Sequence, residues 1–174
     1  DGESVRFRHN DPRHLDSVLK RVGEDRAALV IIDGVYSMGG DIAELPAIVD
    51  ACKRHHARIL VDDAHGLGVI GEGGRGTASH FNLEDDVDLI MGTFSKSLAS
   101  IGGFIAGPAQ VVEWIQHFAR SMLFSASLPP ASTAAALASL DVLEREPEIV
   151  DRPEAVVDGE HGDGRRNRRR DHRL

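Results

Sequence analysis

The feature that most constrains this chain is a repeated alternation, in which short apolar runs rich in branched residues are separated by stretches with helical spacing. Residues 28–32 read ALVII, a continuous run of the kind buried on both faces of a sheet, and Gly34 ends it. Residues 44–56 then place Leu45, Ile48, Val49 and Cys52 on one helical face, and residues 58–61 read RILV, a second buried strand. Two further strands are predicted over 87–91 and 101–106, with helices over 108–120 and 130–144. Upstream, Asp11 followed by Pro12 predicts a helix over 12–22: a capping carboxylate precedes a ring-fixed first turn, and Leu15, Val18 and Leu19 supply the apolar face. The alternation predicts an α/β fold whose sheet is at least partly parallel.

Composition narrows the function classes. The 174 residues suit one domain, and 41% apolar residues are enough for a core. A net charge of −8 and 5% aromatic content argue against a nucleic-acid or anionic-membrane partner. The single cysteine, Cys52, excludes an internal disulfide framework, and no apolar run approaches the roughly 18–20 residues of a membrane span. A cytoplasmic setting is the expectation. The two ends are unlike domain ends. Asp1 stands where a Met would start a chain, so the domain is expected to continue upstream. Residues 151–174 form an Arg-rich tail expected to be disordered or aberrant, because from Arg152 onward seven Arg and five acids leave too few apolar residues for a core.

In open α/β sheets, chemistry gathers at the carboxyl ends of the strands. Here those ends are polar: Asp33-Gly34, Asp62-Asp63-Ala64-His65, and Gly92-Thr93-Phe94-Ser95-Lys96-Ser97. A carboxylate such as Asp62 at a strand end can pair with a buried cationic nitrogen, or else cap a turn together with His65. Lys96 is one of three lysines and lies among small residues, where partial burial would free its amine to attack a carbonyl. His55 and His56 are expected to be a solvated helix end. The glycine-rich run from Gly66 to Gly76 leaves a nucleotide-binding module open, but the GxxxxGK[ST] phosphate loop is absent from this sequence.

Five segments in order resemble the α-oxoamine synthases, pyridoxal-phosphate enzymes of the aspartate aminotransferase fold: RHND at 8–11, DGVYSMGGDIAELPAIV at 33–49, VDDAHGLGVIGEGGRG at 61–76, MGTFSKSLASIGGFIAG at 91–107 and FSASLPPAS at 124–132. The resemblance covers about residues 5–150. It implies that residues 1–150 are part of a fold type I large domain, a mostly parallel sheet flanked by helices and incomplete at both ends. It also implies pyridoxal 5'-phosphate as cofactor, bound covalently by Lys96. Asp62 would then pair with the pyridine nitrogen, His65 and Ser37 would lie on the ring-hydroxyl side, and Thr93 would lie at the phosphate. Ser125 matches a position that reaches the phosphate of the neighbouring subunit's cofactor, which implies a homodimer with shared active sites. Arg75 is expected to fix a loop rather than to clamp substrate.

The reaction this resemblance implies condenses an amino acid with an acyl-CoA, releasing CoA and carbon dioxide, with Lys96 moving the protons. Two departures bear on Ser37: the family commonly carries a glutamate at the position of Asp33 and an acid at that of Gly39. The upstream glycine-rich phosphate turn, the ring-stacking side chain and the small C-terminal domain with its substrate-binding arginine are not among these residues. A second reading is therefore a fragment that keeps the lysine without retaining cofactor or substrate.

Overall fold

The computed structural model describes residues 2–23 and 25–150, and the Arg-rich stretch singled out above lies outside them. The first helix, α1 (Pro12–Val22), is built as its sequence directs. Asp11 accepts a hydrogen bond from the His14 N–H at 2.9 Å, Pro12 sets the first turn, and the Gly23 N–H closes the last turn on the Leu19 carbonyl at φ +82°. Strand β1 (Leu29–Asp33) leads to α2 (Leu45–Arg54), and β2 (Arg58–Asp62) follows directly. Beyond a long glycine-rich loop come the short helix α3 (Thr77–His80) and the strands β3 (Leu89–Thr93) and β4 (Gly103–Ala106). Helices α4 (Ala109–Phe118), α5 (Arg120–Leu123) and α6 (Pro130–Arg145) complete the described chain. The helix expected over 108–120 thus breaks at Ala119, whose ψ of 107° is extended.

The sheet order is β1-β2-β3-β4, with the first three strands parallel and β4 antiparallel to β3. Its core side is covered by α1 and α2. Leu15 and Leu19 from one helix, and Leu45, Ile48, Val49 and Cys52 from the other, pack with Val30, Ile32, Ile59 and Val61. The helix residues among them are those the helical spacing singled out, except Val18, which is buried outside this cluster.

The opposite side corrects one expectation. The continuous apolar run at 28–32 predicts burial on both faces, yet Leu29 is 51% and Ile31 61% exposed, while Val30 and Ile32 are buried. Neighbours in register point the same way, so Ile31 shares its face with Leu60 and Leu89, and Asp33 shares its face with Asp62 and Met91. The continuous apolar run reflects a strand with two apolar faces, of which the described residues cover one. Among those residues no helix is long and apolar enough to cross a membrane.

Candidate active site

Parallel pairing brings three strand ends to one edge of the sheet. Asp33 is opposite Asp62, Asp62 is opposite Met91, and Thr93 lies two residues further along β3. Thr93 donates its hydroxyl to the Gly102 carbonyl at 3.1 Å, accepts the Ser95 N–H at 3.3 Å, and stands 2.8 Å from the Ser95 hydroxyl. Ser95 was not assigned a role from the sequence. Its signal was the two-residue step from Thr93 within GTFSKS, which sets two hydroxyls side by side.

The turn that follows presents Lys96. The Ala99 N–H donates to the Lys96 carbonyl at 3.0 Å, the Ser100 N–H donates to the Phe94 carbonyl at 2.7 Å, and Ala99 takes the left-handed region at φ +46°. Leu98 is fully buried beneath the turn and α6 holds it there. The Ser139 hydroxyl donates to the Leu98 carbonyl at 3.1 Å, and the Ser100 hydroxyl donates to the Ser132 carbonyl at 2.6 Å.

The lysine amine meets the imidazole: Lys96 Nζ lies 2.6 Å from His65 Nε2. The lysine is exposed and the histidine half-buried, so the partial burial expected of Lys96 is not what is found. The physical reason is that the turn's apolar anchor is Leu98, which leaves Lys96 on its outer side. A second bond joins the same two loops, from the Ser97 hydroxyl to the Leu67 carbonyl at 2.6 Å. Gly68, at φ +74°, permits this approach, because an added Cβ would fall within 3.0 Å of the Ser97 side chain.

Two adjacent acids have different fates. Asp62 stays half-buried at the open strand edge and accepts the Ala64 N–H at 3.1 Å. Asp63 is buried, and burial pushes its carboxyl above the usual carboxylate range against the opposing hydrogen bonds from Thr77.

The remaining expected residues are more scattered. Ser37 is exposed on the loop after β1, beside Tyr36, whose phenol is pushed up to about 12 by burial and by Asp33 and Asp41. Ser125 is exposed and donates to the Ser121 carbonyl of its own chain. It does share a cavity of about 850 Å³ with Thr93, lined also by Gly102, Phe104, Val112 and Ile115. Arg75 is exposed within the glycine-rich loop. His55 corrects the solvated reading of the two histidines, since it is half-buried and pairs with Asp16 at 3.1 Å. Cys52 lies in the core, its thiol pushed up to about 11 mainly by burial, which leaves it inert as a nucleophile.

A lysine amine, an adjacent imidazole, a strand-end carboxylate and paired hydroxyls at the carboxyl edge of a mostly parallel sheet suit an anionic carbonyl compound held covalently. Known proteins agree with that chemistry. Residues 1–158 match the family described as aminotransferase class I and II. Over 146 residues the chain is 52% identical to a serine palmitoyltransferase of Bacteroides thetaiotaomicron, which covers 84% of this chain and 37% of that protein. It is 46% identical over 140 residues to an 8-amino-7-oxononanoate synthase of Thermoanaerobacter pseudethanolicus, covering 80% of this chain and 35% of the relative. Its fold matches a high-resolution structure of SPT with PLP internal aldimine at a TM-score of 0.80, with 42% identity over 84% of this chain and 37% of that one. The chain belongs to the aminotransferase class I and II family and, within it, to the α-oxoamine synthases. It spans a little over a third of the length of these relatives.

Proposed function

We propose that residues 1–150 form part of the large, cofactor-binding domain of a pyridoxal-5'-phosphate-dependent acyl-CoA:amino acid C-acyltransferase of the serine palmitoyltransferase kind. The observation that carries this reading is the 2.6 Å contact between Lys96 Nζ and His65 Nε2 at the strand edge that also carries Asp62. The donor set fits the cofactor: an amine for its aldehyde, a carboxylate for its pyridinium nitrogen, an imidazole for its ring hydroxyl, and the Thr93 hydroxyl for its phosphate. When bound, pyridoxal phosphate supplies an electron-withdrawing ring that stabilises negative charge at the substrate α-carbon.

The chain's own residues do the rest. Lys96 would hold the cofactor covalently, and its amine is the group placed to take and return the substrate α-proton. His65 orients that amine. Asp62 keeps the ring nitrogen protonated by placing negative charge beside it. Ser95 adds a second hydroxyl next to Thr93, Ser37 lies toward the ring-hydroxyl side, and Ser125 reaches the phosphate bound by a second subunit. The active form is accordingly a cytoplasmic homodimer taking an amino acid and an acyl-CoA.

Identity favours the serine palmitoyltransferase kind, at 52% against 46% for the oxononanoate synthase, which is the alternative within the family. The test is covalent trapping. The chain is mixed with pyridoxal phosphate, reduced with borohydride and mapped by peptide mass spectrometry. Label is expected at Lys96 and absent from Lys96→Ala. Label spread equally over Lys20 and Lys53 would overturn the reading and leave a fragment that no longer holds the cofactor.

A further inference from the structure

The strand-end peptide at Asp62-Asp63 is fixed on both sides. The Gly34 N–H donates to the Asp62 carbonyl and the Asp63 N–H donates to the Met91 carbonyl, each at 2.8 Å. Successive side chains on extended backbone point to opposite faces, so the two carboxylates diverge. That of Asp63 turns inward, is 1% exposed, and takes two bonds from one residue: the Thr77 N–H to Oδ2 and the Thr77 hydroxyl to Oδ1, both at 2.6 Å. Its own carbonyl accepts the Gly66 N–H at 3.1 Å and the Leu67 N–H at 2.9 Å. One residue thereby closes both ends of the segment from Asp63 to Thr77, and His65 stands inside the closure.

We infer that Asp63 is a positioning residue for the His65–Lys96 pair, its clamp on Thr77 fixing where the imidazole stands relative to the amine. Three observations carry this inference. A buried carboxylate is expensive unless its bonds are well made, and here both oxygens are engaged while no cation pairs with it among the described residues. Space is reserved for it on three sides: a Cβ added at Gly34, Gly66 or Gly76 would fall within 3.0 Å of its carboxylate oxygens. Finally, the clamped segment also carries Leu67, whose carbonyl holds Ser97 beside Lys96, so a shift of the segment moves both partners of the pair. That the pair serves a covalent cofactor rests on the function proposed above; the clamp itself does not.

The inference is tested on the full chain without cofactor, by NMR of the His65 ring. The reference signal is the displacement of the His65 Hε1 resonance caused by Lys96→Met. In a Thr77→Val background, which loses the hydroxyl donor at nearly constant shape, that displacement is expected to fall about twofold or more, as it does for coupled neighbours. Asp63→Asn is expected to reduce it, and Thr77→Ser, which keeps both bonds, to restore it. A purely structural role would lower the urea midpoint while leaving the His65 response unchanged.

An unchanged response in both Thr77→Val and Asp63→Asn overturns the inference. So does failure of Thr77→Ser to restore the response, or the absence of any Lys96→Met displacement in the parent chain. Should Thr77→Val not fold, the near-isosteric Asp63→Asn decides alone. Trapping at Lys96 is scored separately. Clamp effects without Lys96 labelling retire the cofactor reading alone, and labelling without clamp effects retires this inference alone.

Discussion

Asp62 and Asp63 are chemically identical neighbours, and the alternation of extended backbone gives them different work. One stays at the open edge where a ligand can reach it. The other is withdrawn among glycines, and its surroundings tolerate no extra atom. Gly34→Ala is therefore expected to destabilise the chain by about 1–3 kcal/mol, because its Cβ would fall within 3.0 Å of both Thr77 Oγ1 and Asp63 Oδ1. Urea denaturation reads the change, and a midpoint equal to the parent's would show that the pocket around Asp63 yields freely. The polar strand ends single out Asp62, His65, Thr93 and Lys96; strand pairing sets Asp62 opposite Met91, two residues before Thr93, and Lys96 Nζ lies 2.6 Å from His65 Nε2. Ser37 and Ser125 were reached by resemblance alone. Among the described residues no hydrogen bond joins either of them to that group, and Ser125 shares a cavity with Thr93.

The Lys96 turn and the acid-bearing strand tips are held in place by elements set back from the candidate site. Helix α6 pins the Lys96 turn through Ser132 and Ser139, and the buried Leu98 anchors that turn from below. Helices α1 and α2 press on the strands from the core side, and their fixed ends locate the strands whose tips carry the acids. Ile48 is fully buried between α2 and the sheet. Ile48→Ala is expected to cost about 2–5 kcal/mol, the range for emptying a well-packed aliphatic site. A loss much below this in urea denaturation would mean that the helix repacks without it. Helix α2 was legible because its apolar residues recur at the period of a helix. The break at Ala119 was not, since nothing in the spacing of residues 108–120 separates one bent helix from two.

At the scale of the whole molecule, the sheet is two-sided in sequence and one-sided in packing. Leu29 and Ile31 stand on the uncovered face, and Trp114, Phe118 and Phe124 are exposed on the α4–α5 side. Apolar surface of this extent favours association. Ile31→Lys is expected to lower concentration-dependent light scattering while leaving the unfolding free energy from urea denaturation within about 0.5 kcal/mol of the parent's, since Ile31 is already 61% exposed. Scattering unchanged by the substitution would place the sticky surface elsewhere. The sequence alone determined the order of strands and helices, the helical faces that would be buried, and the polar strand ends where chemistry gathers. All of these follow from local periodicity and from chain geometry within a few residues. Only the tertiary structure decided which face of the sheet is covered, which of two adjacent acids is withdrawn, and that Lys96 meets His65 from 31 positions away. Such outcomes depend on contacts between residues far apart in the chain, and no local pattern encodes them.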